Sequence, residues 1–216
     1  MQQISECPVS PYHLYNLYRN PFGELTRNER AELAVVDIDH SVSIATDPGS
    51  VLQFVGDCGH GKTTHLLALL RRIANAQYVY LPEDGPRPRI PEYRPLLVDE
   101  AQRLSLWQLR RMLKLGGQLV FGTHLDLSRA IKRAGLEVVT LNVARNSSVE
   151  HLLEILHRRM DASQLGNEST PRISPAMAIR LREKHGSNVR AIEQELYEQF
   201  QQHALEQRQW PPADSL

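Results

Sequence analysis

Long apolar runs, cysteines and net charge are what this chain is short of, and each shortage excludes something. No uninterrupted apolar stretch exceeds the five residues Leu66–Leu70, and the N-terminal MQQISECPVS has no basic segment followed by a greasy one. Neither a membrane-spanning helix nor an export signal is therefore expected. The two cysteines, Cys7 and Cys58, sit in no Cys-x-x-Cys or Cys/His spacing. They build neither a disulfide framework nor a zinc site, and a reducing, cytoplasmic setting fits them. The 25 basic and 25 acidic side chains cancel across 216 residues, so no bulk field draws the protein to nucleic acid or to an anionic membrane. Any polyanion site must be local. One local imbalance exists: Arg103, Arg110, Arg111, Lys114, Arg129, Lys132 and Arg133 share their stretch with the single acid Asp126. No internal repeat or low-complexity tract occurs, and the length suits one domain with a small appendage.

What is present is alternation. Short β-rich runs interleave with helical patterns, the mark of parallel strands joined by crossovers. Strands are expected at 51–55, 77–81, 95–99, 118–122 and 137–142, apolar enough to be buried on both faces. Helices are expected at 62–75, at 106–115 between the capping box of Ser105 and Gln108 and the stop at Gly116, and at 127–134. A further helical pattern lies at 25–36, and the five prolines of 81–95 make that segment an extended crossover loop. After Asn142 the strands stop and three helices follow. Ser147 with Glu150 opens the first, and Ser174 with Pro175 opens the second, which Gly186 closes. The third runs from near Asn188 toward Trp210 on the stripe Val189, Ile192, Leu196 and Phe200. The expected organisation is an N-terminal segment at 1–45 that contributes to a nucleotide site, an α/β core at 46–146, a helical unit at 147–210 and a tail at 211–216.

Gly56-Asp57-Cys58-Gly59-His60-Gly61-Lys62-Thr63 fits the pattern G-x-x-x-x-G-K-[ST] directly between an expected strand and an expected helix, the context that motif requires. Its glycines let successive backbone N–H groups turn inward, and the helix N-terminus, reaching to Thr64, adds positive potential. Lys62 would reach the β- and γ-phosphates and Thr63 would ligate magnesium. Downstream, Leu96-Leu97-Val98 is a buried strand ending in Asp99 and Glu100. From an adjacent strand the two acids would meet the far end of a triphosphate, within about ten ångströms of the Lys62 amine. Asp99 would hold the magnesium shell, and Glu100 would polarise a water for in-line attack on the γ-phosphate. His60 and His65 flank the loop, but the nine histidines have no metal-ligand spacing. Cys58 reads as an incidental loop residue rather than an oxidisable thiol, and Trp107 as a packing residue of its helix rather than a base-stacking one.

This succession resembles the additional-strand ATPases, and specifically the AAA+ family, over residues 45–205. The resemblance implies a P-loop NTPase core with a five-stranded parallel sheet and a small all-α lid, binding ATP with Mg2+ and hydrolysing it. Thr123, with His124 as the alternative, is similar to the family's sensor 1. The segment 128–136 resembles the region that carries an arginine finger, here Arg133 or else Arg129. Gly186 to Glu193 resembles the sensor 2 helix start of bacterial replication initiators, so that Arg190 would lean from the lid onto the nucleotide. Tyr18 to Phe22 resembles the Asn-Pro-Phe entry of a secretion- and transposition-related branch. That likeness would bring residues 20–36 near the adenine, with Leu33, Val35 and Val36 over the base. The family places nucleotide between subunits, which implies an ATP-dependent homo-oligomer serving a DNA transaction or a protein client in a larger machine. In such an assembly the basic stretch from Arg103 would meet duplex phosphates, contact a neighbouring subunit, or remain a solvated face. Two departures narrow the likeness. The proline loop replaces the helix and aromatic pore loop of threading members, and the initiators' helix-turn-helix domain has no counterpart. A small-molecule kinase would share the loop without needing Glu100 or Arg190, and a nonhydrolysing ATP-bound adaptor would be indifferent to Glu100.

Overall fold

Five runs rich in Val, Leu and Phe become one all-parallel sheet in the order β2-β3-β4-β1-β5. The strands are β1 (Ser50–Val55), β2 (Gln77–Tyr80), β3 (Leu96–Asp99), β4 (Leu119–Thr123) and β5 (Glu137–Asn142). The structure, a computed structural model, describes residues 10–143, 148–207 and 210. Every strand lies within a residue or two of its expected place. Burial on both faces holds for β1, β3 and β4, where Leu52, Phe54, Leu97, Val98, Val120 and Phe121 are fully buried. It does not hold for β2 and β5, which are the sheet edges: β2 buries only Val79, and β5 mixes exposed with half-buried positions. The order also corrects one expectation. β4 lies between β1 and β3, so Asp99 and Glu100 come from the next strand but one rather than from an adjacent strand.

The helices of this half are α1 (Arg27–Glu32), α2 (Asp39–Thr46), α3 (Lys62–Arg72), α4 (Leu106–Lys114) and α5 (Ser128–Arg133). α4 starts at its expected capping box: the Gln108 amide donates to Ser105 Oγ, and the Ser105 amide donates to Gln108 Oε1. α3 stops at Arg72 instead of 75, because Ile73 takes an extended backbone and Asn75 a left-handed one at φ 60° on the way into β2. The helical pattern of 25–36 resolves into the short α1, held by a Thr26–Glu29 capping box, while α2 has no side-chain cap and left no sequence signal. Gln53, wholly buried in the middle of β1, donates to Asp126, Ser128 and Thr140 and accepts from the Leu127 amide. A polar residue in an apolar strand is satisfied there, and it fixes the start of α5.

The chain divides into two compact units, one being Leu25–Ser147 and the other combining the N-terminal residues up to Glu24 with the chain from Ser148. The expected segment 1–45 is thus shared between the two. The second unit contains α6 (Val149–Asp161), α7 (Pro175–His185) and α8 (Val189–Leu205). Ser174 and Pro175 open α7 as expected, and Asn188 caps α8 through the Ala191 amide. α6 is capped by Ser148, which accepts from the His151 amide; the expected cap Ser147 lies outside the described residues. Leu152, Leu156, Met160, Leu181, Ile192, Leu196 and Phe200 form the core with Tyr15, Leu17 and Phe22 from the N-terminal segment. That segment is pinned by polar groups as well. Asn20 Nδ2 donates to the Tyr197 carbonyl at 3.0 Å, and buried Arg159 donates to the carbonyls of Pro21 and Gly23 while pairing with Glu193 at 2.5 Å. The Asn-Pro-Phe turn therefore belongs to this unit, whereas Leu33, Val35 and Val36 belong to the sheet unit. No helix among the described residues is long and apolar enough to cross a membrane.

Candidate functional site

The site grows from the loop between β1 and α3. Gly59 and Gly61 have φ of 85° and 88°, a region that side-chain-bearing residues rarely adopt, and Gly61 becomes the N-cap of α3. Asp57 and Cys58 are exposed at the tip, while Gly56 donates its amide to the Thr123 carbonyl of β4. Thr64 is half-buried in the first turn of α3, and His60 Nδ1 is buried with no hydrogen-bond partner among the described residues. Lys62 is only 5% exposed, and its Nζ donates to the carbonyls of Gly56 and Asp57 at 2.8 Å each. The loop is therefore wound around its own ammonium. Burial lowers the Lys62 pKa from its ordinary value, against the opposing pull of Glu100 and Asp99.

Asp99 is fully buried at the end of β3. Thr63 Oγ1 donates to its Oδ2 at 2.7 Å, the Tyr78 hydroxyl donates to the same oxygen at 3.0 Å, and the Glu100 amide donates to Oδ1 at 3.1 Å. Burial raises the Asp99 pKa, and the bonds from Thr63 and Tyr78 oppose the rise. Tyr78 is pushed well above its ordinary value by burial and by Asp99. Close approach is possible because residue 122 is glycine: a Cβ there would lie 2.8 Å from Asp99 Oδ1 and 2.8 Å from Leu66 Cδ1.

Glu100 follows with a left-handed backbone at φ 60°, which turns the chain out of β3. Its Oε2 accepts from Gln102 Nε2 at 2.7 Å, pairs with Arg103 at 3.3 Å and lies 3.6 Å from His124 Nε2. The same His124 nitrogen is 3.4 Å from Lys62 Nζ, so Glu100 and the Lys62 amine are no more than about 7 Å apart. Thr123 is fully buried, and its hydroxyl both donates to the Leu125 carbonyl and accepts from the Leu125 amide, closing a local turn. Of the two sensor candidates, His124 is the one that meets Lys62 and Glu100.

The arginines expected from the resemblance lie elsewhere. Arg133 is exposed at the end of α5, which leads to the start of β5 and hence to the sheet edge opposite the glycine loop. Arg129 is exposed in the first turn of α5, on the loop side. Arg190 is exposed at the start of α8, in the helical unit. Tyr78 and Gln102 are site residues that sequence reading did not select, and Arg103 was expected only as part of the basic stretch, since nothing in a strand tyrosine or a helical-turn arginine marks a carboxylate partner. Gly122 did carry a signal, because a glycine inside an apolar strand marks a close backbone approach. Among the described residues no group of three or more His, Cys, Asp or Glu side chains could hold a metal ion. The adjoining Thr63 hydroxyl and Asp99 carboxylate do suit magnesium, which takes one or two protein oxygens and completes its shell with phosphate and water. Compared with known proteins, the sequence matches no family model and no curated protein.

Proposed function

We propose that Leu25–Ser147 is a P-loop NTPase core of the AAA+ type, that the helical unit is its lid, and that the protein is an ATP-hydrolysing switch. The observation that carries this reading is the convergence of Lys62, Thr63, Asp99, Glu100 and His124 at the C-terminal edge of a parallel sheet, with an additional strand between the loop strand and the acidic strand. Ligands of open parallel sheets bind at that edge. Lys62 would exchange its two loop carbonyls for phosphate oxygens, and Thr63 with Asp99 would hold the Mg2+ that neutralises phosphate charge. Glu100, a carboxylate already surrounded by donors, would orient the attacking water, and His124 would sense the γ-phosphate between Lys62 and Glu100. Arg133 points to assembly. Lying toward the start of β5, away from its own glycine loop, it would serve nucleotide held by another copy in an ATP-dependent homo-oligomer. Arg190 is assigned the lid contact by resemblance. A DNA transaction, with a protein client, is the setting we expect for such a switch.

Calorimetry with ATP and Mg2+, paired with phosphate release, tests the reading. Wild type should bind ATP and release phosphate with no acceptor substrate present. Lys62→Ala should lose binding, and Glu100→Gln should bind while release falls at least 100-fold. An absence of binding heat in the wild type would sink the nucleotide site. Unchanged release from Glu100→Gln would sink hydrolysis at this carboxylate and favour a passive adaptor, and phosphate appearing only with a small-molecule acceptor would favour a kinase.

A further inference from the structure

The expectation that Trp107 packs inside its helix is overturned: its side chain is 67% exposed, and Leu106 beside it is 73% exposed. Tyr93 is 77% exposed and Tyr80 43%, so three of the sheet unit's aromatic side chains stand in solvent. Trp107 and Tyr93 are gathered on one surface by arginines. Arg111 lies over the Trp107 ring at 5.4 Å and pairs with Glu92, the residue before Tyr93. Arg94 carries the other side of Tyr93 back to α4, donating to the Met112 carbonyl at 3.1 Å. At the opposite end Arg103 donates to the Leu81 carbonyl at 2.9 Å, and Arg87 donates to the Arg103 carbonyl at 2.5 Å. The proline loop and α4 thus form one continuous face studded with π-surfaces.

The charge of that face is positive. Glu92 and Glu83 are taken up by Arg111 and Arg103, leaving exposed Asp84 as the one other acid, whereas Arg87, Arg89, Arg110 and Lys114 are exposed with no ion pair among the described residues. α4 itself carries no acidic residue. Arginine and lysine spaced among exposed aromatic rings answer two needs of an unpaired nucleic-acid strand at once, because phosphates meet cations while splayed bases stack on rings. A duplex satisfies only the first need, since its bases are already stacked. An acidic peptide satisfies the charge but has no requirement for exposed aromatic faces.

We propose that the face built by residues 80–94 and 103–114 binds single-stranded nucleic acid, with Trp107 as its principal stacking platform and Arg110 and Lys114 as phosphate contacts. This goes beyond the ATPase reading and does not require it, because the stacking residue Trp107 and the phosphate contacts Arg110 and Lys114 lie on α4, outside the nucleotide site.

The test is fluorescence anisotropy of a fluorescein-labelled 20-nucleotide oligo(dT), in EDTA and without ATP, across a salt series. Wild type should bind it more tightly than a duplex of the same length. Trp107→Ala should weaken binding about 5- to 150-fold, the loss of one stacked base, while Trp107→Phe should retain most of it. Arg110→Gln with Lys114→Gln should flatten the plot of log affinity against log salt by about 1.4. The exposed positions chosen leave the fold intact, which an unchanged melting temperature verifies. The proposal is overturned if oligo(dT) does not bind, if Trp107→Ala binds it like wild type, if the duplex binds as tightly, or if a labelled Glu/Leu-repeat peptide binds more tightly through Trp107. Lys62→Ala separates the two readings, since it should lose ATP and keep oligo(dT).

Discussion

Tyr78 offers the sharpest test of what holds the fully buried Asp99 carboxyl group. Asp99 Oδ2 accepts from both Thr63 and Tyr78, so Tyr78→Phe deletes one side-chain donor while keeping the ring. A hydrogen bond to a charged group contributes about 1.5–3 kcal/mol, and in a chain of this size each kcal/mol moves the melting temperature by about 2–4 °C. Tyr78→Phe should therefore melt roughly 3–12 °C below wild type at neutral pH. The pH dependence fixes the cause. Burial holds the Asp99 pKa above its unfolded value, so the associated stability is full below the unfolded value and is lost as pH rises through the folded one. Removing a donor to the charged form raises the folded pKa further, so the deficit should be largest at neutral pH and shrink as pH falls toward the ordinary carboxylate range. Thermal melting by circular dichroism at a series of pH values reads this directly. An equal deficit at every pH would mean that Tyr78 acts through packing, and no deficit at neutral pH would mean that Asp99 does not depend on it.

Two further predictions probe the rest of the framework. Gly122→Ala would place a methyl group 2.8 Å from both Asp99 Oδ1 and Leu66 Cδ1, and it should cost about 1–3 kcal/mol in urea unfolding; an unchanged midpoint would refute the tight approach. Arg159→Met leaves Glu193 and the carbonyls of Pro21 and Gly23 without their donor, so tryptic cleavage after Arg19 should accelerate strongly, as expected when a buried pair worth about 3–5 kcal/mol is broken; wild-type resistance would show that the N-terminal segment is held by its apolar residues alone.

How much of this was legible in the sequence follows from the range of the interactions involved. The five strands, the α4 capping box and the glycine loop are local in the chain, and periodicity with turn chemistry exposes them at the right places. The strand order is not local, because nothing in LLVD or LVFG says that β4 inserts between β1 and β3. The helical unit's hold on Asn20, Pro21 and Phe22 was equally hidden, since its agents, Arg159 and Tyr197, lie more than a hundred residues away. Trp107 was misread for a different reason: apolar residues in an amphipathic helix are ordinarily core, but Leu109, Met112 and Leu113 already fill the buried face of α4 and leave Leu106 and Trp107 outside. Thr123 and His124 could not be separated by pattern, and what distinguishes them is that the threonine hydroxyl is consumed by its own turn.

Arg103 belongs to both surfaces. One guanidinium nitrogen pairs with Glu100 at 3.3 Å and with Glu83 at 3.0 Å, and the other donates to the Leu81 carbonyl. The arginine is itself about a quarter exposed, whereas Glu100 is much less so. An anion bound at that guanidinium would compete with Glu100 for it, leaving Gln102 and His124 as the partners of the carboxylate. Freed of one cation, Glu100 would be a stronger acceptor toward a water, so occupancy of the outer face would bear on the acid at the end of β3 through a single side chain. Linkage makes the influence mutual: whatever alters the hold of Arg103 on Glu100 from the loop side must alter, by the same free energy, its availability to an anion outside. The left-handed backbone of Glu100 sharpens the connection. It starts the 3-10 turn Ala101–Arg103 immediately after the carboxylate, so the strained residue and its arginine are fixed in one short rigid step.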